Sequence, residues 1–403
     1  MEKHLAQAPE GKRRCAGIDV IKLLSMQMIV VLHVLGQGGI LSCLPVFSVR
    51  YEVMWLLETA CFCAVNCFAL ATGYLMAGSR FRYSRLLELW LQVAFYTVGL
   101  TALFALLVPG SVTPLYWKMA FFPMTTLQYW YFTAYFAMFL FIPFFNRLLE
   151  VLKRRELERL ILSAVLLSLL TVAAGQDIFR LHNGYSMLWL SALYFIGAYF
   201  KKYPFRRKIP AGRWLLGYGA MVLVSWGEKW IAQRRSFALT GEAGPGGTLI
   251  NYVSPTMLLA AVFLFLACLQ LEFKSQKLPR LFSRLAPAAF GVYLIHCQVL
   301  VWHRLLADRF AALAALPAPL LLAAVLAAAA GIDLVCLCAD LVRIRLFRML
   351  GIGRLCQKAE ALCGSLLGRW RDRMDTGRNE PDDRQDRRGS DPDHQNNRPI
   401  DNQ

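Results

Sequence analysis

Ten long apolar runs constrain this chain more than any other feature. They lie at Ile18–Leu35, Tyr51–Ala77, Leu86–Val108, Leu127–Phe145, Leu157–Ala174, Tyr185–Phe200, Trp214–Ile231, Leu249–Leu271, Pro287–Leu306 and Leu316–Leu341. A run of about 20 mostly apolar residues satisfies its own backbone hydrogen bonds as a helix, which a bilayer demands. The expected fold is therefore all-α: a polytopic membrane helical bundle of about ten transmembrane helices. Composition agrees. Hydrophobic residues make up 57% of the chain and charged residues 17%, whereas a soluble domain is nearer 45–50% and 25%. An ordinary soluble enzyme, a disordered protein and a disulfide-stapled secreted module are excluded.

The net charge of +18 raises the question of nucleic acid, and its placement answers it. With the N-terminus inside, the inner segments carry 22 Lys and Arg residues and the outer segments 8. Alternation of this kind is the positive-inside pattern of a membrane protein, not the contiguous basic face of a nucleic-acid binder. It predicts ten spans with both termini cytoplasmic and no nucleic-acid partner. Lys12, Arg13 and Arg14 precede the first run as they would in a signal peptide. No small-residue cleavage site follows, and the run reads as a retained span.

The eleven cysteines fall mostly within apolar runs, where Cys behaves as a small hydrophobe. Only Cys43 reads as an outer-loop residue, so no extracellular disulfide framework is expected. Cys61-Phe62-Cys63 and Cys336-Leu337-Cys338 lack the spacing and His partners of a zinc site, and no metal is expected. Tyr129-Trp130-Tyr131-Phe132 and Tyr116-Trp117 read as an interfacial aromatic belt. Arg343 to Trp370 alternates basic and apolar residues at helical spacing, which predicts an amphipathic helix on the cytoplasmic face. The residues after it, rich in Asp, Arg, Asn and Pro, read as disordered. No internal repeat stands out at a fixed period.

Ionisable residues within spans mark candidate functional positions. The first run holds Asp19, Lys22 and His33. Eleven residues separate Lys22 from His33, so the two lie within roughly 20° of one face and roughly 16 Å apart along the axis. Asp19, three residues before Lys22, shares that face. Histidine suits proton acceptance near neutral pH. The same residues also fit an interfacial ion pair and a packing histidine. In the ninth run, Phe290-Gly291-Val292-Tyr293-Leu294-Ile295-His296 places a second His, which could orient a substrate, orient the first His, or simply pack. His303 lies nearer the outer end. Arg82 and Arg85 can offer two guanidinium forks to a phosphate, or be topology signals only. Glu58 lies within the second run and could pair with a buried cation. Asn66 and Thr72-Gly73 also fit helix packing. A Walker A loop is absent, since Gly244-Pro245-Gly246-Gly247-Thr248 lacks the Lys. The chain also has no H-E-x-x-H, no G-x-S-x-G elbow and no dinucleotide fingerprint.

Five stretches together resemble acyltransferase family 3, the multi-pass bacterial acyltransferases that modify sugars and other envelope molecules. They are Gly17-Ile18-Asp19-Val20-Ile21-Lys22 leading to Val30-Val31-Leu32-His33; Asn66-Cys67-Phe68 through Thr72-Gly73-Tyr74-Leu75; Leu86-Leu87-Glu88-Leu89-Trp90-Leu91-Gln92; Tyr129-Trp130-Tyr131 leading to Ile142-Pro143-Phe144-Phe145-Asn146; and the Phe290–His296 stretch. The resemblance covers roughly residues 14 to 345. Lys22 stands where the family usually has Arg, keeping the charge and losing the planar fork. Arg82 and Arg85 match the family's paired arginines, with Glu88 where relatives are often basic. The extracellular hydrolase-like domain of some relatives has no counterpart here.

The resemblance divides the chain into a cytoplasmic N-terminal tail (1–16), an acyltransferase-like transmembrane domain (17–342), a cytoplasmic amphipathic segment (343–370) and a disordered polar tail (371–403). It implies transfer of an acyl group, most often acetyl, from cytoplasmic acyl-CoA to a hydroxyl of a cell-envelope glycan or lipid-linked saccharide, in the plasma membrane of a bacterium. The expected catalytic residues are His33, Lys22 and Asp19. Arg82, Arg85 and Lys22 would bind the donor, and Glu58 and His296 the acceptor. A transporter or flippase using the same intramembrane charges is the alternative reading, and CoA binding would separate the two.

Overall fold

The structure, a computed structural model, describes residues 15–205 and 209–378, with side chains as far as residue 367. Most of the expected N-terminal tail, the basic residues Arg206, Arg207 and Lys208, and the polar tail from residue 379 lie outside the described residues. Among the described residues the chain is entirely helical, without strands.

Sixteen helices follow in chain order: α1 (Ala16–Leu35), α2 (Ile40–Cys43), α3 (Val49–Phe62), α4 (Ala64–Met76), α5 (Tyr83–Leu107), α6 (Pro114–Phe121), α7 (Trp130–Val151) and α8 (Arg154–Ala174). They continue with α9 (Met187–Lys202), α10 (Ala211–Thr240), α11 (Pro255–Leu269), α12 (Lys277–Leu285), α13 (Ala289–His296), α14 (Val299–Val301), α15 (Ala318–Met349) and α16 (Ile352–Arg378).

Helix α1 is the axis of the bundle. It packs against α3, α4, α11, α13 and α15, and residues Met28 to Leu32 of its middle are buried on every side. A helix apolar all round belongs in that position. The α5, α8, α10 and α15 helices instead turn large apolar residues outward, among them Leu106, Leu162, Leu216 and Val335. An apolar outer surface of this extent suits a lipid environment.

Six helices among the described residues are long and apolar enough to cross a membrane. The count rises to seven if the bent pair Lys277–His296 and Val299–Leu306 forms one span. Three other runs expected to span fall short by these criteria. Helix α9 has 16 residues, and α11 has 15, beginning only at Pro255. Helix α10 extends to Thr240 and carries Glu228, Lys229, Arg234 and Arg235 within the helix rather than in an outer loop.

The ninth run is not one straight helix. It bends by 60° at Cys297-Gln298, where the Gln298 side chain accepts hydrogen bonds from the amides of Leu300 and Val301 and starts α14. The tenth run also differs. Helix α15 continues to Met349, so Arg343 belongs to it rather than to the amphipathic segment. Gly351, at φ 65°, then turns the chain into α16. That left-handed conformation costs glycine nothing.

Close contacts set the spacing. A Cβ at Gly73 would meet the backbone of Tyr194, and one at Gly197 the backbone of Leu70. Helices α4 and α9 therefore approach backbone to backbone, the small-residue packing of membrane bundles. Asn146 ties α7 to the end of α4. Its amide accepts from the Gly78 amide (3.1 Å) and the Tyr194 hydroxyl (2.8 Å), and donates to the Met76 and Ser79 carbonyls (3.2 Å each).

Candidate active site

His33 and His296 meet in the middle of the bundle. His33 Nδ1 lies 2.8 Å from His296 Nε2, although 263 residues separate them. His296 Nδ1 lies 2.6 Å from the Val292 carbonyl oxygen, one turn back on α13. A carbonyl only accepts, so His296 carries its proton on Nδ1. In the neutral ring its Nε2 then accepts from His33 Nδ1–H. That leaves His33 Nε2 with a free lone pair. Trp302, just beyond the bend, packs its ring edge-on to His33 at 4.7 Å.

His33 faces a small chamber bordered by Met26, Ile29, Phe68, Trp130, Tyr131, Tyr252 and Tyr293. Its free volume is about 30 Å³, room for one water-sized group. The tyrosines hold the walls together. Tyr129 donates to the Leu294 carbonyl at 2.7 Å, and the Tyr131 amide donates to the Tyr293 hydroxyl at 3.3 Å. Asn66 donates to the Tyr252 carbonyl at 2.8 Å and accepts from the Trp189 indole at 3.0 Å, pinning the Tyr252 loop. The expected interfacial belt at Tyr129–Phe132 is thus core. Tyr129 and Phe132 are fully buried, because α7 starts inside the bundle and its first turn packs on α13.

Phe68 and Tyr131 are shared with a second cavity of about 190 Å³, lined also by Lys22, Thr72, Gln92, Tyr135 and Phe290. Lys22 and His33 therefore open onto adjoining spaces along α1, as their spacing predicts. The Lys22 ammonium lies 5.9 Å from the centre of the Phe68 ring. Asp19 is buried at the start of α1. Thr72 borders the cavity while its neighbour Gly73 packs on α9, so the two residues of that pair have separate tasks.

Arg80, Arg82 and Arg85, with Phe81 and Glu360, surround a third recess of about 530 Å³ at the start of α5. Glu360 of α16 accepts from the amides of Tyr83 (2.8 Å) and Ser84 (3.2 Å). These are first-turn amides of α5, the natural seat of an anion. Hydrogen bonding to Ser84 and to those amides holds the Glu360 carboxyl below its ordinary range.

The remaining expected site residue, Glu58, is half-buried on α3, with its Oε2 out of solvent and lacking a hydrogen-bond partner. A buried cation does lie on the neighbouring α10, and it pairs with a different acid of α3. Lys229 lies 3.5 Å from Glu52 and sits over the rings of Tyr51 (4.2 Å) and Trp55 (4.5 Å).

Several residues escaped the sequence reading. Asp340 of α15 is fully buried and accepts from Tyr96 (2.8 Å), Gln92 (3.3 Å) and both arms of Arg343 (2.9 and 2.7 Å). A Cβ at Gly291 would collide with the Asp340 side chain, so the glycine before Val292 admits this ion pair beside α13. An acid within the tenth apolar run was a visible signal; its partner, three residues on, was hidden by reading that run as ended at Leu341. An apolar cleft of about 690 Å³ between α5, α13 and α15 reaches His296 from the other side, lined by Leu100, Phe104, Ile332 and Val335 among others.

A family model described as an acyltransferase domain matches residues 16–337. Comparison with curated proteins and with solved structures returns no match.

Proposed function

The chain belongs to the acyltransferase family 3, it is a multi-pass membrane acyltransferase, and from that premise we propose that it moves an acyl group, acetyl first, from acyl-CoA to an envelope hydroxyl. The observation that carries the mechanism is the His33–His296–Val292 hydrogen-bond chain, which leaves His33 Nε2 free as a base.

The donor enters from the cytoplasm, and its nucleotide phosphates meet Arg82 and Arg85. Guanidinium forks suit phosphate oxygens. The pantetheine arm runs through the cavity bordered by Lys22, whose charge meets the remaining anionic or carbonyl oxygen. Asp19 helps to set Lys22 in place. The thioester then reaches the edge of the chamber beside His33. That chamber admits a reacting hydroxyl and not a whole sugar ring, so the body of the acceptor stays outside it. His33 Nε2 takes the hydroxyl proton as the oxygen attacks the thioester carbonyl. The carbon–sulfur bond breaks, and the proton returns to the leaving CoA thiolate. His296 holds the ring of His33 throughout, and Glu58 contacts the acceptor on the outer side. The apolar cleft reaching His296 suits an acceptor borne on a lipid, such as a lipid-linked saccharide.

This reading places the protein in the plasma membrane of a bacterium, with ten spans in which α9, α10 and α11 also cross, and with both termini cytoplasmic. The cations between the runs support that orientation. The test is transfer from labelled acetyl-CoA by purified protein, with CoA binding followed by calorimetry. Wild type is expected to bind CoA and to transfer label, and His33→Ala to bind without transfer. Mass spectrometry of envelope glycans with and without the gene then identifies the acceptor. A folded His33→Ala protein with full activity would overturn the mechanism.

A further inference from the structure

We propose that His33 Nδ1, His296 Nε2 and Cys297 Sγ form a three-donor site for a thiophilic divalent cation of the zinc class, and that an ion bound there switches acyl transfer off. The binding goes beyond the acyltransferase reading; only the switching rests on it.

The three donor atoms converge. Cys297 Sγ lies 3.3 Å from His296 Nε2 and 3.6 Å from His33 Nδ1, and the two nitrogens are 2.8 Å apart. A circle through three points so spaced has a radius of about 1.9 Å, and zinc bonds are about 2.0–2.1 Å to nitrogen and 2.3 Å to sulfur. An ion can therefore sit slightly above the plane of the donors, at bonding distance from all three. A fourth position stays open, as in tetrahedral sites with three protein ligands.

The donors are also held. A metal-binding His ordinarily donates its second N–H to a backbone carbonyl, and His296 already does so to Val292. His296 and Cys297 are adjacent at the bend of the span. The Cys297 amide is bonded to the Tyr293 carbonyl at 3.1 Å, and Gln298 is anchored both to α14 and to Thr101, to which it donates at 3.2 Å. The mixed imidazole and thiolate set selects soft or borderline ions over magnesium and calcium.

The chemistry of occupancy follows from the proton count. The Cys297 thiol proton leaves to solvent as the sulfur binds. His33 gives up its Nδ1 position to the metal, and its remaining ring proton resides on Nε2. The lone pair that would accept the hydroxyl proton is then gone. Cys297 itself borders neither the chamber nor the apolar cleft, which favours ion binding over a role as acyl carrier.

The experiment titrates purified, metal-free protein with Co²⁺ and follows the thiolate-to-cobalt charge-transfer absorption. A band that saturates at one equivalent in wild type and is lost in Cys297→Ala is expected. No band at one equivalent, or an unchanged band in Cys297→Ala, would overturn the site. If the alanine protein does not fold, Cys297→Ser serves, and the same loss of the band is expected. In the transfer assay, each protein is compared with its own metal-free rate. Half-inhibition by Zn²⁺ should need at least about tenfold more metal in the variant; equal sensitivity would overturn the switch. The absorption is independent of catalysis, so failure of the acyltransferase mechanism and failure of the metal site are distinguishable.

Discussion

At the residue scale, the arrangement of the two histidines makes them unequal. His33 has the free nitrogen and His296 the anchored one, so substitutions at the two positions should differ in kind. His33→Ala is expected to lower kcat by about 10²–10⁴-fold, the usual worth of a general base, with KM for acyl-CoA little changed. His296→Ala is expected to lower kcat less, by about 10–100-fold, because it removes the group that fixes the ring of His33 and not the base itself. Steady-state kinetics with labelled acetyl-CoA separate these outcomes, and equal losses would contradict the assignment. The first His was legible in the sequence as an ionisable group deep in an apolar run. Its partner's orienting role was left open there, since no spacing rule links positions 263 residues apart.

At the scale of elements, α15 is tied to α5 around an ion pair that sequence periodicity did not reveal, with α13 seated against it at Gly291. Asp340 and Arg343 share one face of α15, with Tyr96 and Gln92 of α5 completing the bonds. Asp340→Ala leaves a buried guanidinium uncompensated and should cost about 3–5 kcal/mol, read as a lower unfolding temperature in detergent. Replacing both partners, Asp340→Leu with Arg343→Met, should recover most of that loss. Recovery no better than the single variant would argue against the pair as the source. Gly291→Val should separate α13 from α15 by forcing a side chain into Asp340, and with it misplace His296. Its signature is a fall in kcat together with stability. The apolar runs announced these helices, but the bend at Cys297-Gln298 and the extension of α15 past Arg343 depend on caps and pairings that hydropathy alone does not register.

At the scale of the whole molecule, α16 lies against the start of α5 through Glu360, between the arginines proposed to bind the donor. The folded-state carboxyl titrates below its ordinary range. A group of that kind stabilises its contact above the unfolded value and loses the effect as pH falls through the lower, folded one. Docking of α16 should therefore persist at pH 7 and loosen in acid, below the ordinary carboxylate pKa. Limited proteolysis between residues 352 and 378 across that window checks it, and Glu360→Gln should be as open at pH 7 as wild type is in acid. Since the carboxylate occupies amides suited to a phosphate, the same variant should lower KM for acyl-CoA with kcat retained. Topology is testable with the exposed cysteines of the first outer loop and of α16, Cys43 and Cys363, in single-cysteine backgrounds. An impermeant maleimide should label Cys43 in intact cells and Cys363 only in inverted vesicles; the reverse pattern would invert the proposed orientation.

What the amino-acid sequence determined by itself was the environment and the class: a run of apolar residues long enough to span has few alternatives to a helix in lipid, and the placement of Lys22 and His33 on one face follows from helical geometry alone. The tertiary structure decided which groups meet. It brought His33, His296 and Cys297 together, moved the Tyr129–Phe132 aromatics from the expected interface into the core, paired Lys229 with Glu52, and set Asp340 against Gly291. Each of these rests on contacts between helices far apart in the chain. Such contacts depend on side-chain shape, on close glycine approaches and on the satisfaction of buried polar groups, and none of these has a period that a one-dimensional reading can detect.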